Sequence, residues 1–175
     1  MGSKGKGSKS MGSKSMSSKI VAKRSRIHGN GVFAAQAIAK GERVVRYKGQ
    51  LRRHDEVDAA YADVPENGHT FLFTLNDKYV IDANIDGNDA RWINHSCDPN
   101  CEAVFVEHES GKRRKDRIVI DALRDIAAGE ELTYNYGIVL EEAHTAKLKK
   151  LWACHCGSSK CTGTMLQPKR GKKSS

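Results

Sequence analysis

Neither end of the chain holds an acidic residue, and that absence locates its charge. Residues 1–19 contain five lysines, and residues 167–175 contain three lysines and one arginine; these nine cations equal the whole formal net charge of +9. The body, 20–166, is then balanced at 21 basic and 21 acidic residues. Balance argues against a broad nucleic-acid-binding face on the fold, so contact with nucleic acid is expected through the basic tails. Long apolar runs are also missing. None approaches the ~18 residues of a membrane span, and the N-terminus lacks the apolar core of a secretory signal, so a soluble protein with no membrane contact is expected. Five cysteines are an odd count, and without an export signal they stay among reduced thiols, which argues against a disulfide framework. Clustered thiols then point to metal. A chain of 175 residues suits one domain with a modest core, plus tails.

Residues 1–19 repeat G-S-K-S and have only methionine as apolar side chains, too little to offset the entropy of ordering, which predicts a disordered basic tail. Its bland role is to solubilise; its functional role is a tether to DNA or an acidic partner. Ile20–Arg26 reads as a strand leading into H-G-N-G-V-F, whose Gly29 and Gly31 permit tight or positive-φ turns. Ala37–Gln50 reads as turn then strand, 51–64 as a short helix ending before Pro65, and His69–Ala83 as a hairpin about Asn76–Asp77. Cys101–Glu107 and Arg117–Leu123 form a second predicted hairpin with a charged, solvated tip, and Glu130–Gly137 a strand. Ile138–Trp152 has helical spacing, with acids early and lysines late, and Trp152 is expected in the core.

Gly87–Asn100, G-N-D-A-R-W-I-N-H-S-C-D-P-N, packs polar donors around Trp92 and Ile93 too densely for a surface loop. Buried, those donors need partners in the fold or in a ligand. Two later segments offer them: E-E-L-T-Y-N-Y-G at Glu130–Gly137 and C-H-C-G-S-S-K-C at Cys154–Cys161.

N-H-S-C-x-P-N, E-L-x-Y-x-Y and C-x-C-x4-C, in that order and preceded by H-G-N-G-V-F, resemble the SET-domain protein lysine methyltransferases that carry a zinc-binding post-SET segment. The resemblance covers roughly 20–167. It implies a mostly β fold with short helices, in which small curled sheets end in a C-terminal pseudoknot. The domain boundaries it implies are 1–19 basic tail, 20–139 SET domain, 140–167 helix and post-SET zinc segment, and 168–175 basic tail.

The resemblance further implies S-adenosylmethionine as cofactor. His28, Gly29, Asn30 and Gly31, with Val32 and Phe33, match the loop that lies against it, where glycines let backbone groups approach. Asn94 and His95 match the pair that binds its amino-acid end and its adenine, and Arg91 completes the polar cradle. Phe71 stands where the family often has a tyrosine that bonds the cofactor carboxylate, but it brings no hydroxyl. Tyr47, Tyr134 and Tyr136 match the walls of a channel for the target lysine. Its amine, with a free pKa near ~10.4, must arrive neutral and in line with the methyl group. Tyr136 matches the catalytic tyrosine, with an orienting and electrostatic role, and Tyr134 a phenylalanine/tyrosine switch whose hydroxyl favours monomethylation.

Cys154, Cys156 and Cys161 supply three closely spaced thiolates, and Cys97 of N-H-S-C can close a tetrahedral structural zinc site; Cys101 is left as a small buried hydrophobe. The predicted partner is a lysine-containing protein, a histone or a histone-like DNA-packaging protein. The predicted location is nuclear chromatin if the protein is eukaryotic or delivered to a host, and the cytoplasm or nucleoid if it is bacterial. The alternative is a zinc-stabilised binding module of the same fold without turnover, whose tails hold nucleic acid or an acidic partner.

Overall fold

Val32, Ile38, Ile93, Ile120, Ile126 and Leu132 are each at most 2% exposed, and three small sheets among the described residues close around them. The computed structural model describes residues 18–64, 71–140 and 142–168. The expected tails fall outside these, apart from Ser18, Lys19, Gln167 and Pro168. Short apolar runs between turn residues make short strands: β1 (Ile20–Arg24), β2 (Asn30–Ala34), β3 (Arg43–Arg46), β4 (Gln50–Arg53), then helix α1 (His54–Tyr61), β5 (Leu72–Thr74), β6 (Tyr79–Asp82), β7 (Asn94–His95), β8 (Cys101–Val106), β9 (Arg117–Ala122), β10 (Glu131–Tyr134) and helix α2 (Ala146–Leu151). The sheets run β1-β2-β10-β7, β3-β9-β8 and β4-β6-β5.

Both predicted hairpins form. In the β5–β6 hairpin, Asn76 Oδ1 accepts from the backbone N–H groups of Lys78 and Tyr79, the side-chain-closed turn that asparagine favours. The charged tip between β8 and β9 is less free than expected. Its Arg113–Lys115 turn is 3-10 helical, and Asn76 Nδ2 donates to Arg113 O at 3.1 Å and to the buried Asp116 at 3.0 Å.

Two predicted helices are shorter than their spacing suggests. Leu51–Arg53 pairs with Val80, Ile81 and Tyr79 as strand β4, so α1 starts only at His54. Sheet pairing outweighs local helix preference there. Within Ile138–Trp152, Thr145 Oγ1 accepts from Leu148 N at 3.2 Å and starts α2, while Ile138 bridges to Leu166. Capping and pairing both take the first turns away from the helix.

The fully buried Asp82 fixes α1 to β6: it accepts from Tyr61 Oη at 2.8 Å, Arg52 Nη1 at 3.1 Å and the backbone N–H of Asn84 at 3.0 Å. Burial opposes its ionisation, yet the hydrogen bonds from Tyr61, Asn84 and Arg52 prevail and hold its pKa below the ordinary value.

For the site, the decisive feature is the first sheet. β10 pairs antiparallel with β2 on one side and parallel with β7 on the other, matching Thr133 with Asn94 and Tyr134 with His95. Segments about 40 residues apart along the chain thus meet side by side.

Candidate active site and metal centre

A 3-10 turn at Asp89–Trp92 brings the chain into β7, so that Asn94, His95 and Ser96 are buried in succession. Asn94 Nδ2 faces three acceptors, His28 O at 3.2 Å, Asn30 O at 3.0 Å and Glu131 Oε1 at 3.0 Å. Glu131 is also held by Ser25 Oγ at 2.6 Å. The two glycines of the loop differ in purpose. Gly29 adopts φ +47°, the left-handed conformation that glycine tolerates, whereas Gly31 is a strand residue whose Cβ would sit 2.3 Å from Glu131 Oε1.

One cavity, of about 130 Å³, has His28, Asn94 and His95 on one side and Leu151, Ala153, His155 and Met165 of the C-terminal segment on the other. A second, of about 390 Å³, is walled by Tyr47, Phe73, Tyr134 and Tyr136, with Arg91 and Val139 at its edge. Tyr136 lines both. The aromatic rings pack in series, Tyr47 to Phe73 at 5.3 Å, Phe73 to Tyr134 at 6.2 Å and Tyr134 to Tyr136 at 5.0 Å between centroids.

The phenol of Tyr136 donates to Ile93 O at 2.8 Å. Its pKa is raised, first by burial and then by neighbouring Tyr47. Burial likewise raises Tyr134 and Tyr47. These phenols stay protonated at neutral pH, and Tyr136, having spent its proton on a carbonyl, turns its lone pairs to other groups.

Arg91 and Phe71 lie away from the His28–Asn94–His95 cavity. Arg91 donates to Ala83 O at 3.0 Å and lies over the Trp92 ring at 4.7 Å. Phe71 packs edge-on against Trp92 at 4.9 Å, and its carbonyl accepts from Tyr47 Oη at 3.2 Å. Both therefore buttress the tyrosine-walled cavity. Trp152 is buried as expected, beneath the C-terminal segment, where its carbonyl accepts from Met165 N.

Several lining residues carry no motif of their own. Leu151, His155 and Met165 reach the first cavity only because the C-terminal segment folds back through the Ala153–Thr164 bridge. Glu131 and Ser25 are 106 residues apart, and the one available signal for them was the second glutamate of E-E-L-T-Y.

Cys97, Cys154, Cys156 and Cys161 bring their sulfurs within 4.8 Å of one another, and none is in a disulfide. Four thiolates at Zn–S lengths of about 2.3 Å sit about 3.8 Å apart, and Cys97 Sγ to Cys154 Sγ is 3.7 Å. The donor set thus fits a tetrahedral metal ion. The clustered thiols are pushed apart: burial raises Cys154, while at Cys156 burial is outweighed by backbone hydrogen bonds at Cys97 and Ser158, which lower it; a bound cation would favour the thiolate at each of the four. Cys101 is fully buried, its thiol pushed up to about 12 by burial.

The model of the SET domain matches residues 29–137. The chain belongs to the SET-domain family. It is 41% identical over 147 residues to a Chaetomium globosum protein named histone-lysine N-methyltransferase, H3 lysine-4 specific; the match covers 80% of this chain and 12% of that protein. A Saccharomyces cerevisiae protein of the same name is 40% identical over 146 residues, covering 82% and 13%. This SET-domain chain thus spans about an eighth of the length of these relatives. Among solved structures, "ctPRC2 in an autoinhibited conformation bound to S-adenosylmethionine" superposes with a TM-score of 0.62 at 37% identity, covering 69% of this chain and 15% of that one. The mostly β SET fold is therefore shared with a protein that binds S-adenosylmethionine.

Proposed function

We propose that this chain transfers methyl groups from S-adenosylmethionine to lysine side chains of a histone or histone-like protein, with zinc as a structural clamp. The observation that carries this reading is the shared wall: Tyr136 borders both the His28–Asn94–His95 cavity and the tyrosine-walled one. A methyl donor in the first and an amine in the second would meet there. A binding module without turnover needs no such junction.

The residues suit this division of labour. With its N–H donors committed to protein acceptors, Asn94 has Oδ1 left to accept from the ammonium of the cofactor's amino-acid end. Bound there, S-adenosylmethionine supplies an electrophilic methyl on sulfonium sulfur. Tyr47, Phe73 and Tyr134 exclude water from the lysine stem and disfavour the charged ammonium. The amine therefore gives its proton to solvent before it is aligned. Tyr136 Oη, already donating to Ile93 O, can accept a hydrogen bond from the neutral amine and orient it without acting as a base.

Zinc at the four cysteines would hold the C-terminal segment, with Ala153, His155 and Met165, over the first cavity; all ligands being sulfur, no position stays open for catalysis. A histone substrate puts the site of action at chromatin, where the basic tails add contact with nucleic acid. The test is radiolabelled methyl transfer to a histone mixture, with Tyr136→Phe as control. Transfer that depends on Tyr136 supports the reading, and no transfer to any basic protein refutes it.

A further inference from the structure

His95 makes a hydrogen bond at each ring nitrogen, and the two lead to different parts of the site. The backbone N–H of Tyr136 lies 3.1 Å from Nδ1. An amide nitrogen can only donate, so Nδ1 must present its lone pair and the neutral ring must carry its hydrogen on Nε2. Nε2 lies 3.5 Å from Cys97 Sγ. Cys97 Sγ also receives the Thr162 N–H at 3.5 Å, so two N–H groups point at one sulfur of the candidate metal centre. The ring has little freedom to do otherwise: His95 is 4% exposed and packs edge-on against Tyr136 at 5.4 Å.

We infer that the His95 side chain is a positioning residue that couples the metal centre to Tyr136, donating from Nε2 to the Cys97 thiolate and accepting the Tyr136 backbone N–H at Nδ1. This is separate from the adenine contact that the family resemblance implies for His95, and it rests on zinc occupying the four cysteines. A donor to a ligating sulfur orients it and lowers its charge, stabilising the metal site. The same ring fixes the backbone of the tyrosine where the two cavities meet. Closure of the C-terminal segment and alignment of Tyr136 thus become one event.

Two substitutions in the full, zinc-loaded chain separate the halves of the link. An asparagine amide falls near the Nδ1 position and a glutamine amide near Nε2. His95→Asn keeps an acceptor for Tyr136 but no donor for Cys97, and should weaken zinc about tenfold in competition with a chromophoric chelator, while His95→Gln stays within roughly threefold of the parent. At saturating cofactor, His95→Gln should lower kcat about tenfold through loss of Tyr136 alignment, and His95→Asn should lower it less. A third measurement needs no variant: long-range 1H–15N correlation of the zinc-loaded parent should show the Nε2–H tautomer. An Nδ1–H tautomer, or two variants that both bind zinc as tightly as the parent, would overturn the inference while leaving the methyltransferase reading intact. A parent chain that binds no zinc would overturn the inference together with the zinc clamp.

Discussion

Asn94 Nδ2 lies 3.0 Å from Glu131 Oε1, a contact that joins the N-H-S-C strand to the E-E-L-T-Y strand and, through Ser25 Oγ, to the turn that follows β1. It commits the amide's donor side to the protein. Glu131→Ala should leave that amide held by His28 O and Asn30 O alone and loosen its orientation, costing roughly 1.5 kcal/mol in cofactor binding. The expected result is a rise of about tenfold or more in KM for S-adenosylmethionine, with kcat at saturation little changed. Gly31→Ala should act in the same direction, because its new Cβ would meet Glu131 Oε1 at 2.3 Å. Unaltered cofactor titrations for both variants would remove Glu131 from the site.

Metal removal should separate the lid from the body. Among the described residues, the candidate metal ligands other than Cys97 all lie in the C-terminal segment, whereas the main core is built from Ile20–Tyr136. Chelation, or Cys156→Ser, should abolish methyl transfer and weaken the cofactor while leaving most β circular dichroism in place. Cooperative loss of the whole sheet signal on chelation would make zinc a folding element instead.

The chemistry-bearing motifs are legible in the sequence because each is local. Asn94 and His95 adjoin, Tyr134 and Tyr136 are two apart, and three cysteines fall within eight residues. Pairing partners are not local. Nothing in the loop H-G-N-G-V-F shows that Gly31 yields space to Glu131, 100 positions on, and the helical spacing of Ile138–Trp152 does not show that Thr145 will cap it midway. Arg91 illustrates the same limit: its residue type suits an anionic ligand, but its position beside Trp92 and Ala83 O is set by the turn before β7.

Alkaline pH should act on stability and turnover in opposite ways. Burial raises the phenol pKa of Tyr47, Tyr134 and Tyr136 above the ordinary 10.0, so above that pH the unfolded chain loses protons that the folded chain retains. Stability from these groups is full below pH 10 and falls as pH rises beyond it. Turnover should climb up to that point, because the substrate amine, with a free pKa near ~10.4, must be neutral. A falling limb in the kcat/KM profile below pH 9, in a chain still folded, would assign Tyr136 an acid–base role.

Deleting residues 1–17 should weaken DNA or nucleosome binding and flatten its salt dependence without slowing turnover on a short peptide, since four of the chain's uncompensated lysines go with them. The cut should spare Lys19, whose ammonium pairs with Glu42 and donates to Arg43 O at 2.8 Å. A truncated chain that binds as tightly and as salt-sensitively as the parent would place polyanion binding on the body.

Product multiplicity should depend on Tyr134. It is buried between Phe73 and Tyr136, in the wall of the cavity proposed for lysine. Its hydroxyl occupies about one water's worth of space and can hold the amine or a water by hydrogen bond. A methylated amine must turn its lone pair back toward the cofactor for a second transfer, and that rotation needs the space the hydroxyl fills. The unaltered chain should therefore give mainly monomethyl-lysine. Tyr134→Phe removes the oxygen while keeping the ring stack, so di- and trimethyl products should grow with little loss of the first transfer. Mass spectra of a methylated peptide decide between outcomes: trimethyl product from the unaltered chain, or no shift in the variant, would locate the constriction at Tyr47 and Phe73, whose rings close the other side of the same cavity at 5.3 Å.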